Sequence, residues 1–192
     1  MNKMFAMLIG STLGMMALTA QAGVVDLNLG NDSFRAGYTD ALANILPGTN
    51  GQYDAGVIAR PRKSDDFYQA HVGLLLTGDV GSQQLNVTAG LGGRLLYVYK
   101  DSKNGGALAV GGQLAAKLPQ YNRVGLSASS YYAPNILTVG RLDRSWENTV
   151  DLDYELIRNG NVYVGYRNLR QDVDGHRGTT DNGFHAGFRL KF

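Results

Sequence analysis

The chain ends in the stretch Phe184-His185-Ala186-Gly187-Phe188-Arg189-Leu190-Lys191-Phe192. Phenylalanine, alanine and leucine alternate there with histidine, glycine, arginine and lysine. A period of two places successive side chains on opposite faces of a β-strand. The stretch therefore predicts a terminal strand with one apolar face and one polar face, and an aromatic residue closes the apolar face.

The same alternation recurs upstream in segments of about ten residues, the length of a transmembrane β-strand. In residues 146–156, Trp146, Val150 and Leu152 share one face, and acidic and hydroxyl side chains occupy the other. Strand after strand that is apolar outside and polar inside is typical of a transmembrane β-barrel. The segments that follow the pattern are residues 24–30, 33–45, 53–60, 67–76, 83–99, 106–118, 123–132, 146–157, 162–171 and 183–192.

The predicted fold is all-β: a transmembrane up-and-down antiparallel β-barrel of about ten strands over residues 23–192. Eight strands are the alternative. Residues 24–30 alternate clearly, but residues 40–45 of the second segment lose the alternation, as a helical turn would. Both counts are even and return the N-terminus to the side that holds Phe192, which we assign to the periplasm. Short and long connections alternate from there, as expected for periplasmic turns and extracellular loops.

The turn at Asn159-Gly160 sets the register of one hairpin. A two-residue turn there would place Leu152 and Arg167 on one face, which the alternation forbids. We therefore predict a three-residue loop with a left-handed Gly160 and a bulge, which shifts the register by one residue. The predicted cross-strand pairs are Ile157 with Asn161, Leu152 with Tyr166, Glu155 with Tyr163 and Asp151 with Arg167.

Residues 1–22 are predicted to be a secretory signal peptide. Lys3 supplies the positive start, residues 4–17 form an apolar stretch, and Ala20 and Ala22 form a small-x-small cleavage site. The apolar stretch is shorter than the roughly 18 residues that a transmembrane helix needs. A buried N-terminal helix is the alternative. We expect export to the outer membrane with cleavage after Ala22.

The composition narrows the partners of the chain. Its 18 Lys and Arg residues nearly balance its 16 Asp and Glu residues, and it contains no cysteine. A near-neutral chain of this kind does not indicate nucleic-acid binding. The absence of cysteine is compatible with an oxidising envelope and a fold without disulfides.

Charged side chains on the polar faces are predicted to line the lumen, where charges must be paired or hydrated. The predicted network consists of Arg94, Lys117, Arg123, Asp151, Asp153, Glu155, Arg167 and Arg189. Barrels of about eight strands are filled by side chains, whereas porins with an aqueous channel use about sixteen. The lumen is therefore predicted to be either a charge-paired structural core or a hydrated conduit.

Several motifs of the C-terminal part occur in a known family. They are Tyr131-Tyr132-Ala133-Pro134, Trp146-Glu147, residues 162–167 and Asp181-Asn182-Gly183-Phe184. On these motifs the chain resembles the YfaZ family of small outer-membrane proteins, most closely over residues 121–192. The resemblance implies an outer-membrane barrel and no settled activity.

The terminal strand also resembles the β-signal that the barrel-assembly machinery recognises. The residues that carry this resemblance are His185, Gly187, Leu190 and Phe192, with leucine in place of an aromatic residue at position 190. The resemblance implies the barrel-assembly machinery as a partner.

The favoured function is a narrow porin-like channel for small solutes. The alternatives are a structural or interaction barrel with a charge-plugged lumen and, less favoured, an outer-membrane lipid-modifying enzyme. Enzymatic chemistry needs a histidine beside a serine or a carboxylate at the outer membrane edge, and the pattern predicts no such pairing for His71, His176 or His185. We therefore expect no enzymatic activity, cofactor or metal. Expected partners are outer-membrane lipid and lipopolysaccharide. Basic side chains of Arg60-Pro61-Arg62-Lys63 could contact lipopolysaccharide phosphates, although an ordinary solvated loop is the favoured interpretation of that segment.

Deletion of Phe192 is expected to impair barrel assembly more than Arg189→Gln does, because Phe192 belongs to the assembly signal and Arg189 does not. The yield of folded protein in the outer membrane, measured by heat-modifiable gel mobility, tests this. Equal assembly of the deletion variant and the parent chain would contradict it.

Overall fold

A computed structural model describes residues 23–61, 66–81, 86–118 and 121–192, so the predicted cleavage site at Ala20 and Ala22 lies outside the described residues. The strands are β1 (Val24–Gly30), β2 (Phe34–Ala41), β3 (Gly51–Arg60), β4 (Phe67–Asp79), β5 (Asn86–Lys100), β6 (Lys103–Leu118), β7 (Tyr121–Ala133), β8 (Thr138–Gly140), β9 (Leu142–Ile157), β10 (Gly160–Val173) and β11 (Thr179–Lys191). Short 3₁₀ turns occupy Leu42–Asn44 and Asn135–Leu137. Within these ranges no helix has the length and apolar character needed to cross a membrane.

Ten of the strands form a closed antiparallel ring. Each pairs with its neighbour along the chain, and β1 pairs with β11 to complete the circle. β8 lies outside the ring and pairs only with the extracellular end of β6, at residues 105–107. The predicted count of ten is confirmed and the alternative of eight is wrong, because β1 and β2 are full members of the ring. Closure satisfies the backbone hydrogen bonds that lipid cannot satisfy.

The outer wall is an apolar belt. In β4, the outward Val72, Leu74 and Leu76 are 59%, 57% and 63% exposed, whereas the inward Leu75 is 2% exposed. Other outward side chains of the belt are Leu27, Leu29, Val57, Leu91, Leu95, Leu108, Val110, Leu114, Leu126, Val150, Leu152, Val164 and Phe184. An apolar surface of this extent is far larger than soluble proteins expose, and it matches the hydrocarbon of a bilayer.

Both ends of the described chain lie at one end of the barrel. The Phe192 backbone N–H donates to the Gly23 carbonyl at 3.1 Å. With the C-terminus assigned to the periplasm, this is the periplasmic end. The extracellular connections are then residues 31–33, 61–66, 101–102, 134–141 and 174–178.

Connection lengths alternate as predicted in the C-terminal part, where the extracellular connections 134–141 and 174–178 are longer than the periplasmic turn 158–159, but they do not alternate in the N-terminal part. The periplasmic connection 42–50 is long, whereas the extracellular turn between β5 and β6 consists only of Asp101 and Ser102. Both turn residues have positive φ, 49° and 64°, as a two-residue type I′ hairpin requires. The lengths mislead because β5 and β6 continue as a paired hairpin above the belt.

The lost alternation at residues 40–45 marks the end of β2, where the 3₁₀ turn Leu42–Asn44 begins. The Asp40 carboxylate accepts hydrogen bonds from the Ala41 N–H at 2.7 Å and from Asn44 Nδ2 at 2.8 Å. These local bonds compete with the strand ladder, as aspartate commonly does at turns.

The β9–β10 hairpin has the predicted faces but not the predicted pairs. Ile157 pairs with Gly160 across a two-residue turn, and Asn161 pairs with Glu155. The extra residue is Leu156 in β9, where Leu156 and Ile157 are both exposed, at 57% and 59%. Described glycines with positive φ do not include Gly160. The bulge therefore lies in the strand instead of the turn.

This shift changes every cross-strand pair between β9 and β10 beyond the turn. The observed pairs are Leu152 with Val164, Asp153 with Tyr163, Asp151 with Gly165 and Thr149 with Arg167. The predicted pairs of Asp151 with Arg167, Glu155 with Tyr163 and Leu152 with Tyr166 are therefore wrong by two residues, although Leu152 and Arg167 do lie on opposite faces.

Two glycines face each other on the lumen side of β5 and β6. Gly92 pairs with Gly111. A β-carbon on Gly92 would overlap the Leu74 carbonyl oxygen, and one on Gly111 would overlap the Ser130 carbonyl oxygen. Both obstacles are backbone atoms, which cannot move aside as a flexible side chain can.

Gly111→Ala is expected to destabilise the folded barrel by about 1–3 kcal/mol through overpacking. Urea unfolding in detergent micelles, followed by tryptophan fluorescence, measures the change. Gly37→Ala is the matched control, because a β-carbon there has its nearest neighbour, the Ala55 carbonyl oxygen, at 3.7 Å. Equal stability of the two variants would contradict the close approach.

Candidate functional site: the barrel lumen

The inward faces of the ring strands fill the lumen with polar side chains. The most buried of them are Asn28, Asp54, Arg60, Gln69, His71, Arg94, Glu147, Thr149, Asp151, Asp153, Arg167, Gln171, Thr180 and His185. Polar groups at this depth are costly unless they are bonded. These side chains and the groups that they bond form three layers along the barrel: the periplasmic layer, the middle layer and the extracellular layer.

Arg189 is the centre of the periplasmic layer. Its Nε donates to Asp26 at 2.7 Å and its Nη2 to Asp151 at 2.5 Å, while its Nη1 bonds Asp153. The guanidinium carbon lies 4.0 Å from the centre of the Tyr163 ring, and the Tyr163 hydroxyl donates to Asp26 at 2.6 Å. One arginine thus neutralises carboxylates from β1 and β9.

His185 joins this layer through Asp151, at 2.9 Å from Nε2. Gly187 lies on the same face, where a β-carbon would collide with the Tyr163 ring. Two residues of the terminal signal therefore also have structural roles in the lumen. The other two, Leu190 and Phe192, are 39% and 50% exposed on the outer wall.

The middle layer is built on Arg94 and Asp54. Arg94 Nη2 lies 3.0 Å from Asp54 Oδ2, and His71 Nε2 lies 2.9 Å from the same oxygen. The Arg94 guanidinium also stacks over the Tyr131 ring at 3.8 Å. A planar guanidinium can stack on the ring while it pairs with the carboxylate, which a lysine ammonium cannot do.

Side chains also meet across the lumen. Arg35 on β2 donates to Glu147 on β9 at 3.2 Å, and Gln69 on β4 donates to the same carboxylate at 3.3 Å. Gln171 on β10 bonds Gln69, and these two strands lie opposite each other in the ring. These contacts therefore bridge the lumen at the level of Gln69, Glu147 and Gln171.

The extracellular layer is a packed plug. Phe67, Leu169, Gln171 and Thr180 each have 0% exposure. Lys100 on β5 reaches Thr180 on the opposite strand β11 at 3.4 Å. The other apolar members are Ile58, Val98, Ala133 and Leu142. Buried apolar contact and cross-lumen bonds together leave the extracellular mouth closed in this structure.

A cavity of about 260 Å³ lies below the plug. It extends from the middle layer, at His71, Arg94 and Thr149, to the periplasmic ends of the strands, at Val24 and Thr39. Its wall carries both signs of charge, already paired with each other.

The predicted network is partly assembled. Asp151, Asp153 and Arg189 lie together, and Arg94 is separate from them in the middle layer. Arg167 does not contact Asp151; it bonds Asp181 at 3.0 Å and Asn28 at 3.2 Å.

The remaining predicted members lie at the periplasmic end. Lys117 lies 3.7 Å from Glu155, with their side chains 50% and 30% exposed, and such exposed pairs contribute little stability. Arg123 is exposed at the start of β7 and forms no ion pair with a residue that the structure describes. The inward face of β7 reaches the strand end there, where water can hydrate a lone charge.

Residues outside the predicted network complete the lumen. Asp26, Arg35 and Asp54 supply charges to it, and the alternation in β1, β2 and β3 could have placed all three on inward faces. Glu147 and His71 lie on faces that the alternation identified as inward. Their partners, however, come from strands far apart in the ring, which no sequence spacing indicates.

Arg60 is also placed differently from the prediction. Its Nη1 donates to the Thr180 carbonyl inside the lumen, and it is 7% exposed. It therefore does not face lipopolysaccharide, and its strand continues to the edge of the plug. Arg62 and Lys63 lie outside the described residues.

Above the membrane, Asp174 joins the extracellular turns. It bonds Lys103 Nζ at 2.7 Å and Arg141 Nη1 at 3.2 Å. The Lys103 hydrogen bond lowers the pKa of the Asp174 carboxyl below its ordinary value. The residues that the structure describes include no cluster of three His, Asp or Glu side chains suited to a metal ion.

A family model described as "YfaZ precursor" matches residues 2–192. The chain belongs to the YfaZ family. With its closed ring and apolar belt, this YfaZ protein is an outer-membrane β-barrel. No curated protein matches its sequence significantly.

Solved structures similar to this YfaZ protein include an outer-membrane channel and two porins. The outer membrane channel DcaP of Acinetobacter baumannii is 12% identical with a TM-score of 0.39, over 92% of this chain and 55% of DcaP, so the chain spans about half of that channel. KdgM porin is 10% identical with a TM-score of 0.40, over 90% of this chain and 99% of KdgM. NanC porin is 11% identical with a TM-score of 0.44, over 90% of this chain and 100% of NanC.

Arg189→Gln is expected to destabilise the folded YfaZ barrel by about 3–5 kcal/mol, because it leaves buried carboxylates without their cation. The midpoint of urea unfolding in micelles measures the loss. Arg123→Gln is the control and is expected to change stability by less than about 0.5 kcal/mol, as exposed substitutions do. Similar midpoints for both variants would contradict the role of Arg189 as the centre of the layer.

Proposed function

We propose that this YfaZ protein is a narrow porin-like channel for small polar solutes, closed in the present state at its extracellular end. The polar chamber of about 260 Å³ carries the proposal. A lumen filled only for stability would favour apolar packing, since replacing buried ion pairs by hydrophobic residues is often stabilising. Ten strands also enclose more room than the eight that side chains fill.

The plug is made of side chains and contains no inserted segment among the described residues. Its cross-lumen contacts include the Gln69–Gln171 bond, the Lys100–Thr180 bond at 3.4 Å, the Gln69–Glu147 bond at 3.3 Å and the bond from Arg60 to the Thr180 carbonyl. A single hydrogen bond contributes only about 1 kcal/mol net. Rotation of a few side chains would therefore open a path without breaking the backbone ladder.

A structural or interaction barrel with a charge-plugged lumen is the second candidate. The Arg35–Glu147 ion pair at 3.2 Å favours it, because that pair crosses the lumen and is almost fully buried at Glu147. A permanent plug needs no openings under any voltage, which separates the two candidates by experiment.

Planar-bilayer recording tests the channel. The unmodified barrel is expected to show brief openings of small conductance under applied voltage. Gln69→Ala combined with Gln171→Ala is expected to raise the open probability about tenfold, the effect of losing roughly 1.4 kcal/mol of plug stabilisation. Arg35→Gln is expected to shift selectivity towards cations, because Glu147 then lacks its partner, whereas the periplasmic-turn control Arg158→Gln is expected to change neither.

The unmodified barrel decides between the candidates. If it stays silent at all voltages and excludes small sugars in liposome swelling while the Gln69 and Gln171 double variant conducts, the lumen is a permanent plug and the channel proposal fails.

The proposed route to the membrane begins with cleavage after Ala22. The predicted mature terminus, Gly23, accepts the hydrogen bond from Phe192 at 3.1 Å, which supports a barrel that starts at this residue. We also propose that the barrel-assembly machinery recognises the terminal strand and that lipopolysaccharide contacts the outer wall.

No enzymatic activity is proposed. Both lumen histidines are bonded to aspartates, His71 to Asp54 and His185 to Asp151. The alternation predicted neither of these pairings. Both pairs lie inside the lumen, in its middle and periplasmic layers, whereas the lipid-modifying chemistry considered above needs such a pair at the outer membrane edge. Unaltered lipid A in cells that overproduce the protein is the expected result by mass spectrometry.

A further inference from the structure

A row of polar side chains crosses the outer wall where the apolar belt ends. It consists of Ser130, Asn148, Asn168 and Asn182, which are register neighbours on β7, β9, β10 and β11. Ser130 donates to Asn148 at 2.8 Å, and Asn168 donates to Asn182 at 2.8 Å. This polar row faces outward, because the next residues along the strands, Thr149 and Arg167, face the lumen.

Two arginines lie directly above the polar row on the same wall. Arg170 is the register partner of Trp146, and Arg144 lies two residues above Trp146 on β9. Both arginines are exposed, and neither forms an ion pair with any described residue. Asp172 lies opposite Arg144, so the patch holds two guanidiniums and one carboxylate and is net positive.

An apolar groove of about 570 Å³ lies directly below the polar row. Ser130 and Asn148 line its upper end, and Leu91, Leu114 and Val150 line its sides. Gly112 and Ala128 form the bottom of the groove, and the groove is deep there because both residues are small. The order from top to bottom is therefore cationic, hydrogen-bonding and apolar, which is the order of groups along a phosphorylated lipid.

We propose that this face binds a lipid A moiety of the outer leaflet. Arg144 and Arg170 bind a phosphate, for which the guanidinium fork is suited. The polar row bonds the amide and ester groups that link the sugar to its acyl chains, and one acyl chain occupies the groove. Ordinary phospholipid lacks those linking amides, so the polar row favours lipid A. The site depends on the membrane position of the wall and not on whether the lumen conducts.

Native mass spectrometry of the detergent-solubilised barrel tests the site, with diphosphorylated lipid A as the probe. The parent barrel is expected to retain lipid A and to prefer it over the dephosphorylated form. Arg144→Gln combined with Arg170→Gln is expected to reduce retention about tenfold or more and to abolish that preference, as the loss of charge-assisted bonds predicts. Arg158→Gln on the periplasmic turn is the matched control and is expected to bind as the parent does.

A second variant tests the groove. Ala128→Phe fills the groove and is expected to weaken lipid A retention while the two arginines stay in place. Heat-modifiable gel mobility identifies folded protein, so that only folded variants are compared. Retention of lipid A by the arginine double variant at the parent level would overturn the proposal, and so would equal retention of phosphatidylglycerol by the parent barrel.

Discussion

Inside a closed barrel an arginine loses its hydrating water and needs carboxylates from neighbouring strands in its place. Arg189 pairs with three carboxylates. Removing the hydrating water of a buried ion costs several kcal/mol unless ion pairing offsets that cost. Because Asp26 comes from β1 and Asp151 and Asp153 come from β9, the compensation is available only when four neighbouring strands are in register. The periplasmic third of the barrel depends on this one guanidinium.

The upper layers follow the same rule with a different outcome. Arg94, Asp54 and His71 pair with one another near the wall, whereas Arg35, Glu147, Gln69 and Gln171 contact one another across the lumen. A ten-stranded ring is narrow enough for such bridges, and a porin with sixteen strands is not. In a ring of this size, polar side chains can therefore meet across the lumen and close its extracellular part in this structure. The cavity of about 260 Å³ lies below them.

Alternation along the chain was sufficient to predict the barrel, the ten strands and the inward position of Asp151, Asp153 and Arg189. It was sufficient also for the faces of β9 and β10. It did not give the pairing within that hairpin, because a bulge at Leu156 satisfies the faces as well as a longer turn does. Nor did it give the partner of Arg167, since Asn28 lies 139 positions away along the chain.

The cross-lumen partners escape prediction for the same reason. A side chain can contact a strand on the far side of the ring only after the ring has closed. The spacing of residues along the sequence does not indicate which strands lie opposite each other. Arg60 illustrates the limit at the boundary: its place at the end of β3 is compatible with either the loop or the lumen, and the carbonyl of Thr180 decides.

The pairing of β1 with β11 joins the first and last strands of the ring, whereas every other ring pairing joins strands that follow one another along the chain. Loops between successive strands close at little entropic cost, but this seam encloses nearly all of the residues that the structure describes. Until β1 pairs with β11, the sheet has two unpaired edges that invite association with other chains. Closure of this seam therefore competes with aggregation, and it depends on the two ring strands that lie farthest apart along the chain.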